Sequence, residues 1–365
     1  MIEIIEYGTN EFNNANAIIK ICYYVSLFFL SIIAILIIYL KNLRDRLKIK
    51  ERIEATYFKK YESVFIEYLY ASESVEITLA QRKTIEYLKK SAKNKLKRKL
   101  IIQTFLKLKN EISGETAAAI QNLYCEIGFV DGAMSKLRSR KWDNIARAIR
   151  ELSQFEIKEA HGEIIQLINH SKIEVRNEIQ KYLVKLFGFK GLEFLDVLKN
   201  QLSEWDQIQI LEILNKCDTS EIPDLTKWLQ SSNDSVVSFT IKLTKIYNQT
   251  EANDTIITLF DHRNPEIRLQ AIDAIDRLGI YEAVALLKET VFLRSMDEQV
   301  AFFKVLEEVS TSTDIEFIKE FANHENFYIR VSVMKILNLI TVDADNTFKI
   351  ISTDFSIDKN LTLAS

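Results

Sequence analysis

Glycine and proline are scarce. Eight glycines and two prolines stand among 365 residues, where usual shares near ~7% and ~5% would supply many more. Parallel-sheet enzymes place glycine in phosphate-cradling loops, and β-sandwiches place both residue types in hairpin turns. Neither architecture suits this composition, which leaves long helices joined by short connections. Cysteine is equally sparse. Cys22, Cys125 and Cys217 are too few for a disulfide framework, and their spacings match no zinc or redox motif. That usage fits a reducing compartment. No glycine-rich phosphate loop, Ser-His-Asp order or Cys-His nucleophile site can be assembled from the residues present.

What the chain does have is apolar and charged residues, at 47% and 27%, enough to fold rather than stay disordered. Its net charge of −3 conceals an asymmetry. Residues 1–40 carry a net −2, with Lys20 against Glu3, Glu6 and Glu11. Residues 41–110 hold 19 Lys/Arg against 8 Asp/Glu, a net +11, and residues 111–365 hold 28 against 40, a net −12. A basic segment followed by an acidic remainder calls for a spatial explanation.

Twenty uncharged residues run from Ile21 to Leu40, bracketed by Lys20 and Lys41. As a helix they span about 30 Å, the thickness of a hydrocarbon core. Tyr23, Tyr24 and Tyr39 stand where aromatic belts meet the headgroups. A cleaved signal peptide would need a basic start, a shorter apolar run and a small-residue cleavage site; the flanks here supply none of these. A retained transmembrane helix is therefore expected. Lys41, Arg44, Arg46, Lys48, Lys50 and Arg52 follow the span, while only Lys20 closely precedes it. The positive-inside rule then puts the N-terminus outside and the bulk of the chain in the cytoplasm. Five N-x-S/T patterns, at Asn169, Asn233, Asn248, Asn253 and Asn360, carry no meaning on that side.

Beyond the span the chain repeats. Leu167 to Arg176, Leu229 to Ser238, Leu259 to Arg268 and Phe321 to Arg330 overlay without gaps. Each opens on a large apolar residue, passes a polar turn, and resumes with Ile or Val before Arg or Ser. Weaker copies run from Leu108 to Ala117 and from Leu137 to Ala146, with degenerate ones near Gln209 and Ala301. The equivalent positions are 117, 146, 176, 209, 238, 268, 301 and 330, in steps of 29 to 33 residues. Such a period marks stacked helical hairpins, each too small to bury its apolar face alone. After Arg268, Ala271, Ile272, Ala274, Ile275 and Leu278 follow helical spacing up to Gly279. Asn264 is expected as N-cap with Pro265 at the first helical position, and Pro223 is read the same way.

The segment L-x-D/N-x-x-x-x-I/V-R, clearest from Leu259 to Arg268, resembles the HEAT-repeat family, in its short bacterial form with repeats of about thirty residues. The resemblance covers roughly residues 57–341. It implies an all-α fold, an α-solenoid (a HEAT/armadillo-like superhelix of helical hairpins), here with one N-terminal transmembrane helix, and a surface presented to other macromolecules. The expected partition is a short extracytoplasmic N-terminus (1–16), the transmembrane helix (17–40), a basic juxtamembrane stalk (41–56), the repeat array (57–341) and a C-terminal cap remnant or tail (342–365).

His170, His262 and His324 share one repeat position, six residues before Arg176, Arg268 and Arg330. Packed helices lie roughly 8–10 Å apart, so these histidines cannot converge on one metal, and a role in capping the second helix of each pair is expected; no cofactor is expected. HEAT-repeat di-iron hydroxylases use several His-Glu dipeptides, and this chain has only His324-Glu325. The arginines are read as binding the inter-helix turn or a neighbouring acid. Trp142, Trp205 and Trp228 are read as repeat core. Lys89, Lys90, Lys93, Lys95, Lys97, Arg98 and Lys99 form a basic run free of acids; with Lys41, Arg44, Arg46 and Lys48 they are candidates for contacts to an anionic lipid surface, the alternative being a solvated helix face. Nucleic acid is disfavoured by the acidic remainder, although HEAT-like alkylpurine DNA glycosylases share the implied fold.

The expected function is a membrane-anchored cytoplasmic scaffold that binds a protein partner through its solenoid surface, within a bacterial envelope assembly such as a polysaccharide synthase or a secretion complex. No small-molecule substrate is evident. The alternatives are a HEAT-like lyase or hydrolase and a nucleic-acid-binding module tethered to the membrane.

Overall fold

The computed structural model describes residues 16–70, 78–111 and 114–340. The expected extracytoplasmic N-terminus and the C-terminal cap remnant therefore lie outside the described residues, apart from residue 16, and the repeat copy from Leu108 to Ala117 lies partly outside them. Described residues are helical or loop, with no strand among them. The chain divides into two units, residues 1–131 and 132–365.

The first unit is organised by α1, Ala17–Tyr70, an unbroken helix of 54 residues. It contains neither proline nor glycine, the residues that end or kink helices. From Lys20 to Leu69 it is long and apolar enough to cross a membrane, judged by length and composition. Its C-terminal part packs against α2, Leu79–Ala92, and α3, Lys95–Glu111. Tyr61, Phe65 and Tyr68 of α1 are buried there, with the rings of Phe65 and Phe105 5.8 Å apart. A reciprocal capping box starts α2: Gln81 N–H donates to Thr78 Oγ1, and Thr78 N–H donates to Gln81 Oε1. Gln81 Nε2 then reaches Tyr68 O at 3.1 Å, so α2 starts beside the end of α1 and runs back along it. A fourth helix, α4, Glu115–Glu126, packs on α3.

The second unit is a helical repeat. Its full-length helices are α5 Trp142–Gln154, α6 Ile173–Phe187, α7 Glu204–Leu214, α8 Asp234–Tyr247, α9 Pro265–Leu278 and α10 Met296–Val309. Residues 327–340 form one more, α11. Their N-cap residues are Lys141, Lys172, Ser203, Asn233, Asn264, Ser295 and Asn326. Successive caps are 31 residues apart, except for a step of 30 between Ser203 and Asn233. Asn264 caps α9 through Oδ1, which accepts from Glu266 N–H, Pro265 opens the helix, and Gly279 closes it at φ 68°. Only a residue without a Cβ adopts that left-handed turn freely.

The hairpins are lopsided. From α6 onward the half returning before each long helix is short and partly 3₁₀, as in Gly188–Asp196, Thr219–Glu221 with Thr226–Leu229, and Thr250–Ala252 with Asn253–Thr258. Pro223 sits in the extended link before Thr226, not at a first helical position. Long helices carry the core. α9 buries Ile267, Ala271, Ile272, Ala274, Ile275 and Leu278, and each large aliphatic contributes roughly 1.5–3 kcal/mol before the entropy of ordering is set against it. One hydrophobic cluster runs from Leu229 to Ile340.

Register is where the sequence reading needs correction. Counting from the caps, the fourth helical positions are Ile145, Arg176, Gln207, Val237, Arg268, Gln299 and Arg330. The degenerate copies thus centre on Gln207 and Gln299, two residues before Gln209 and Ala301. Val237 replaces Ser238, and Ile145 replaces Ala146. The turns preceding the caps differ in length by a residue or two, which an ungapped overlay cannot show.

Candidate interaction surface

The row of helix starts is held by recurring side chains. Arg176 Nη1 donates to His170 O at 2.8 Å and Ser171 O at 3.3 Å. Arg268 Nη1 does the same to His262 O at 2.9 Å and Arg263 O at 3.4 Å. Arg330 Nη1 reaches His324 O at 2.6 Å and Glu325 O at 2.8 Å. Each guanidinium therefore satisfies carbonyls of the polar turn that feeds its own helix. Where glutamine stands instead, it serves the same turn: Gln207 Nε2 donates to Leu202 O at 3.2 Å, and Gln299 Nε2 to Arg294 O at 3.0 Å.

The histidines occupy those turns. Nδ1 of His170, His262 and His324 accepts the backbone N–H of Lys172, Asn264 and Asn326 at 3.0, 3.1 and 3.1 Å. Each of those donors is the N-cap residue of the following helix, so the imidazoles fix the entry of the chain. Among the described residues no group of three or more His, Cys, Asp or Glu side chains is placed to hold a metal.

Neighbouring turns are also tied to each other. Asn169 Oδ1 accepts from Lys199 N–H at 2.8 Å while its Nδ2 donates to Val197 O at 2.8 Å. Asn233 Nδ2 donates to Leu198 O and Asn200 O, at 3.1 and 3.0 Å. Arg263 and Asn264 both reach the Asp234 carboxylate. The Asn264 bond is the main reason Asp234 ionises below the usual carboxylate range; partial burial acts the other way, and Arg263 adds to the lowering.

One step of the array is different. Long helices pack directly on one another from α5 to α7 and again from α8 to α10, and the backbones approach each other less closely between α7 and α8. It coincides with the single step of 30 residues and with the shortest long helix. An open depression lies there, lined by Ser203, Glu204, Gln207, Ser238, Lys242 and Glu266 among others. Lys242 Nζ donates to Gln207 Oε1 across it at 2.8 Å. A second depression, beside Asp196, Lys199, Asn233 and Arg263, opens on the adjoining turns.

Trp205 and Ile208 of α7 stand one turn apart on this part of the unit, 63% and 55% exposed. The expectation that all three tryptophans are core is thus corrected. Trp228 alone is buried, at 2%, with Nε1 donating to Asp196 Oδ1. Trp142, 40% exposed, opens α5 at the position that Ile173 and Phe327 hold in α6 and α11, and both of those are exposed as well. These side chains point along the row of helix starts, outside the apolar stripe that faces the core. Glu174, Glu204, Glu266 and Asp297, also in first turns, complement the helix dipoles.

In the first unit the basic residues fall into two groups. Lys41, Arg44, Arg46 and Lys48 are exposed on α1. Lys89, Lys90, Lys93, Lys95 and Lys99 are exposed around the α2–α3 turn. Lys97 and Arg98 are only half exposed: Lys97 lies over the Tyr57 ring at 5.6 Å and Arg98 over the Phe129 ring at 5.1 Å. Those two cations serve packing within the unit.

No family model matches the chain, and no curated protein matches it. Among solved structures it is similar to an engineered protein at 14% identity, covering 77% of this chain and 88% of that one, with a TM-score of 0.33. A designed armadillo repeat protein is 13% identical over 58% of this chain and 99% of its own, with a TM-score of 0.29. The complex of CpcE and CpcF of phycocyanin lyase from Nostoc sp. PCC7120 is 12% identical over 74% and 97%, with a TM-score of 0.23. The repeat geometry above stands without support from these distant likenesses.

Proposed function

We propose that the chain is a membrane-anchored scaffold of the HEAT type, whose repeat unit docks a segment of a partner protein at the α7–α8 step. Exposed Trp205 and Ile208 beside a polar, acid-bordered opening carry this reading. A large aromatic left mostly in water contributes little to the fold, and aromatic anchors next to desolvatable pockets are where binding energy concentrates. Glu204 and Glu266 at the opening select a partner segment with basic side chains around an apolar anchor.

The anchor is α1. No described side chain of its apolar span is buried, as suits a lipid-facing helix, and the cations that follow it favour a cytoplasmic repeat unit. Only the first basic group then meets the headgroups. The α2–α3 turn returns to the level of Tyr57, seventeen residues past Leu40, or about 25 Å along an upright helix. Screening over about 8 Å at physiological salt removes most lipid attraction at that distance. A bacterial envelope assembly is the setting that an anchored scaffold of this kind suits.

The test is purification of the detergent-solubilised full chain beside its Trp205→Ala/Ile208→Ala variant. A protein that co-purifies with the parent in stoichiometric amount and is lost from the variant, with unchanged thermal stability of the chain, supports the proposal. A partner retained equally by both, or none with either, sinks it.

A further inference from the structure

The stripe of α1 that α2 and α3 cover does not end where they end. Tyr57, Tyr61, Val64 and Tyr68 follow one another at spacings of four and three residues, with Tyr61 and Tyr68 buried. Extended toward the N-terminus, the same spacing passes through Glu54, Lys50, Leu47, Leu43, Leu40 and Leu36. Leu43 and Leu47 are 42% and 51% exposed, and no described residue covers them. Leu47 lies seven residues past the apolar span, about 10 Å along the helix axis, beyond the hydrocarbon. Since α1 is unbroken, this stretch cannot both continue a crossing helix and lie flat on the bilayer.

The charges beside the stripe name its occupant. In a heptad frame Leu40 and Leu47 take a positions, and Leu43 takes a d position. Arg46 is then g and Glu51 is the following e, the two positions that face each other between parallel paired helices. Both are exposed, and neither pairs with another described residue. Lys41, Asp45, Lys48 and Arg52 take b and f positions, on the side away from a partner helix. Lys50 and Glu54, at d and a, are 4.0 Å apart within one helix; a polar layer of this kind fixes register at some cost in stability. A single-pass anchor, on which this argument rests, holds every copy the same way up, so parallel pairing is the only symmetric arrangement open to two copies.

We infer that a second copy of this chain covers the stripe, the two α1 helices forming a short parallel coiled coil through Leu40, Leu43 and Leu47. Arg46 of each copy opposes the partner's Glu51. The coil ends near Tyr57, where each helix turns its stripe to its own α2 and α3.

The experiment uses the full chain in native membranes, with Cys22, Cys125 and Cys217 replaced by serine and one cysteine returned at a time. Under mild oxidation Leu43→Cys and Leu47→Cys should cross-link to dimers about tenfold faster than Lys48→Cys or Arg52→Cys, because they lie on opposite sides of the helix. Arg46→Glu and Glu51→Arg should each lower the dimer fraction, and the double reversal should restore it to within about twofold of the parent. Equal cross-linking at all four sites, none at any, or single and double reversals that behave alike would overturn the pairing. A carbonate wash separates the two ideas. A chain that washes off has lost its anchor, and the inference falls with it. A chain that stays but shows no preferred face keeps the anchor and loses the dimer.

Discussion

Arg268 and Glu298 form a 2.8 Å ion pair between consecutive repeats. The carboxylate is almost wholly out of water, at 2% side-chain exposure, while the guanidinium keeps 23%. Arg268 also holds His262 O, so one side chain ties its own turn and the next helix together. Arg268→Met strands a buried charge and should destabilise the second unit by about 3–5 kcal/mol in urea titrations. Combining it with Glu298→Leu should recover most of that loss. Equal losses from the single and double variants would show that the pair itself contributes the stability.

Gly191 is buried where the Gly188–Asp196 segment crosses α6, and a Cβ there would collide with the Leu183 carbonyl. Gly191→Ala should therefore cost about 1–3 kcal/mol by chemical denaturation. Gly162, whose Cβ would meet nothing within 4 Å, is the control: Gly162→Ala should stay within about 0.5 kcal/mol of the parent.

Tyr182 Oη donates to Ile157 O at 2.7 Å from a buried position. Burial, with Glu159 nearby, pushes its ionisation well above that of an ordinary tyrosine. Tyr182→Phe leaves the Ile157 carbonyl without this donor, and the melting free energy should fall by about 1–2 kcal/mol.

Acid should weaken the repeat unit in a defined window. Asp234 ionises below its ordinary value chiefly through Asn264, and Glu163 does so chiefly through Arg138. Folded values below the unfolded ones mean stability that is complete above the unfolded pKa values near ~4 and is lost as pH falls through the folded values. The urea midpoint should decline as the pH falls below about pH 4. Asp234→Asn should remove part of that decline; an unchanged acid limb would contradict the assignment.

The two kinds of tryptophan should separate cleanly. Trp228→Ala removes a buried ring and should cost about 3–5 kcal/mol. Trp205→Ala should move thermal stability by no more than about 0.5 kcal/mol.

Much of the local architecture could be read from the chain because its punctuation is chemical: Asn264 and Pro265 mark a helix start and Gly279 a stop, and each does so for a stereochemical reason. The weak repeats escape an ungapped overlay because Gln207 and Gln299 do the arginine's work with a different side chain. A signal did exist. Ser203 with Asp206, and Ser295 with Glu298, are spaced as N-caps and third helical residues, and that spacing would have fixed both helix starts. Composition alone treats the Trp205 indole as core, whereas its place in the first turn of α7, off the apolar stripe, decides its exposure. The returning halves leave no single periodic pattern to find, since their short segments are divided between 3₁₀ and α geometry.

A single missing residue between Ser203 and Asn233 has a mechanical result. The turns on either side are joined by Asn233 and by the bond from Leu202 N–H to Ser235 Oγ at 2.9 Å, and the helix bodies above them meet through side chains, Lys242 on Gln207 and Tyr247 on Asn215. A ligand seated at this step would meet side-chain links, where the neighbouring steps are closed by the packing of helix on helix.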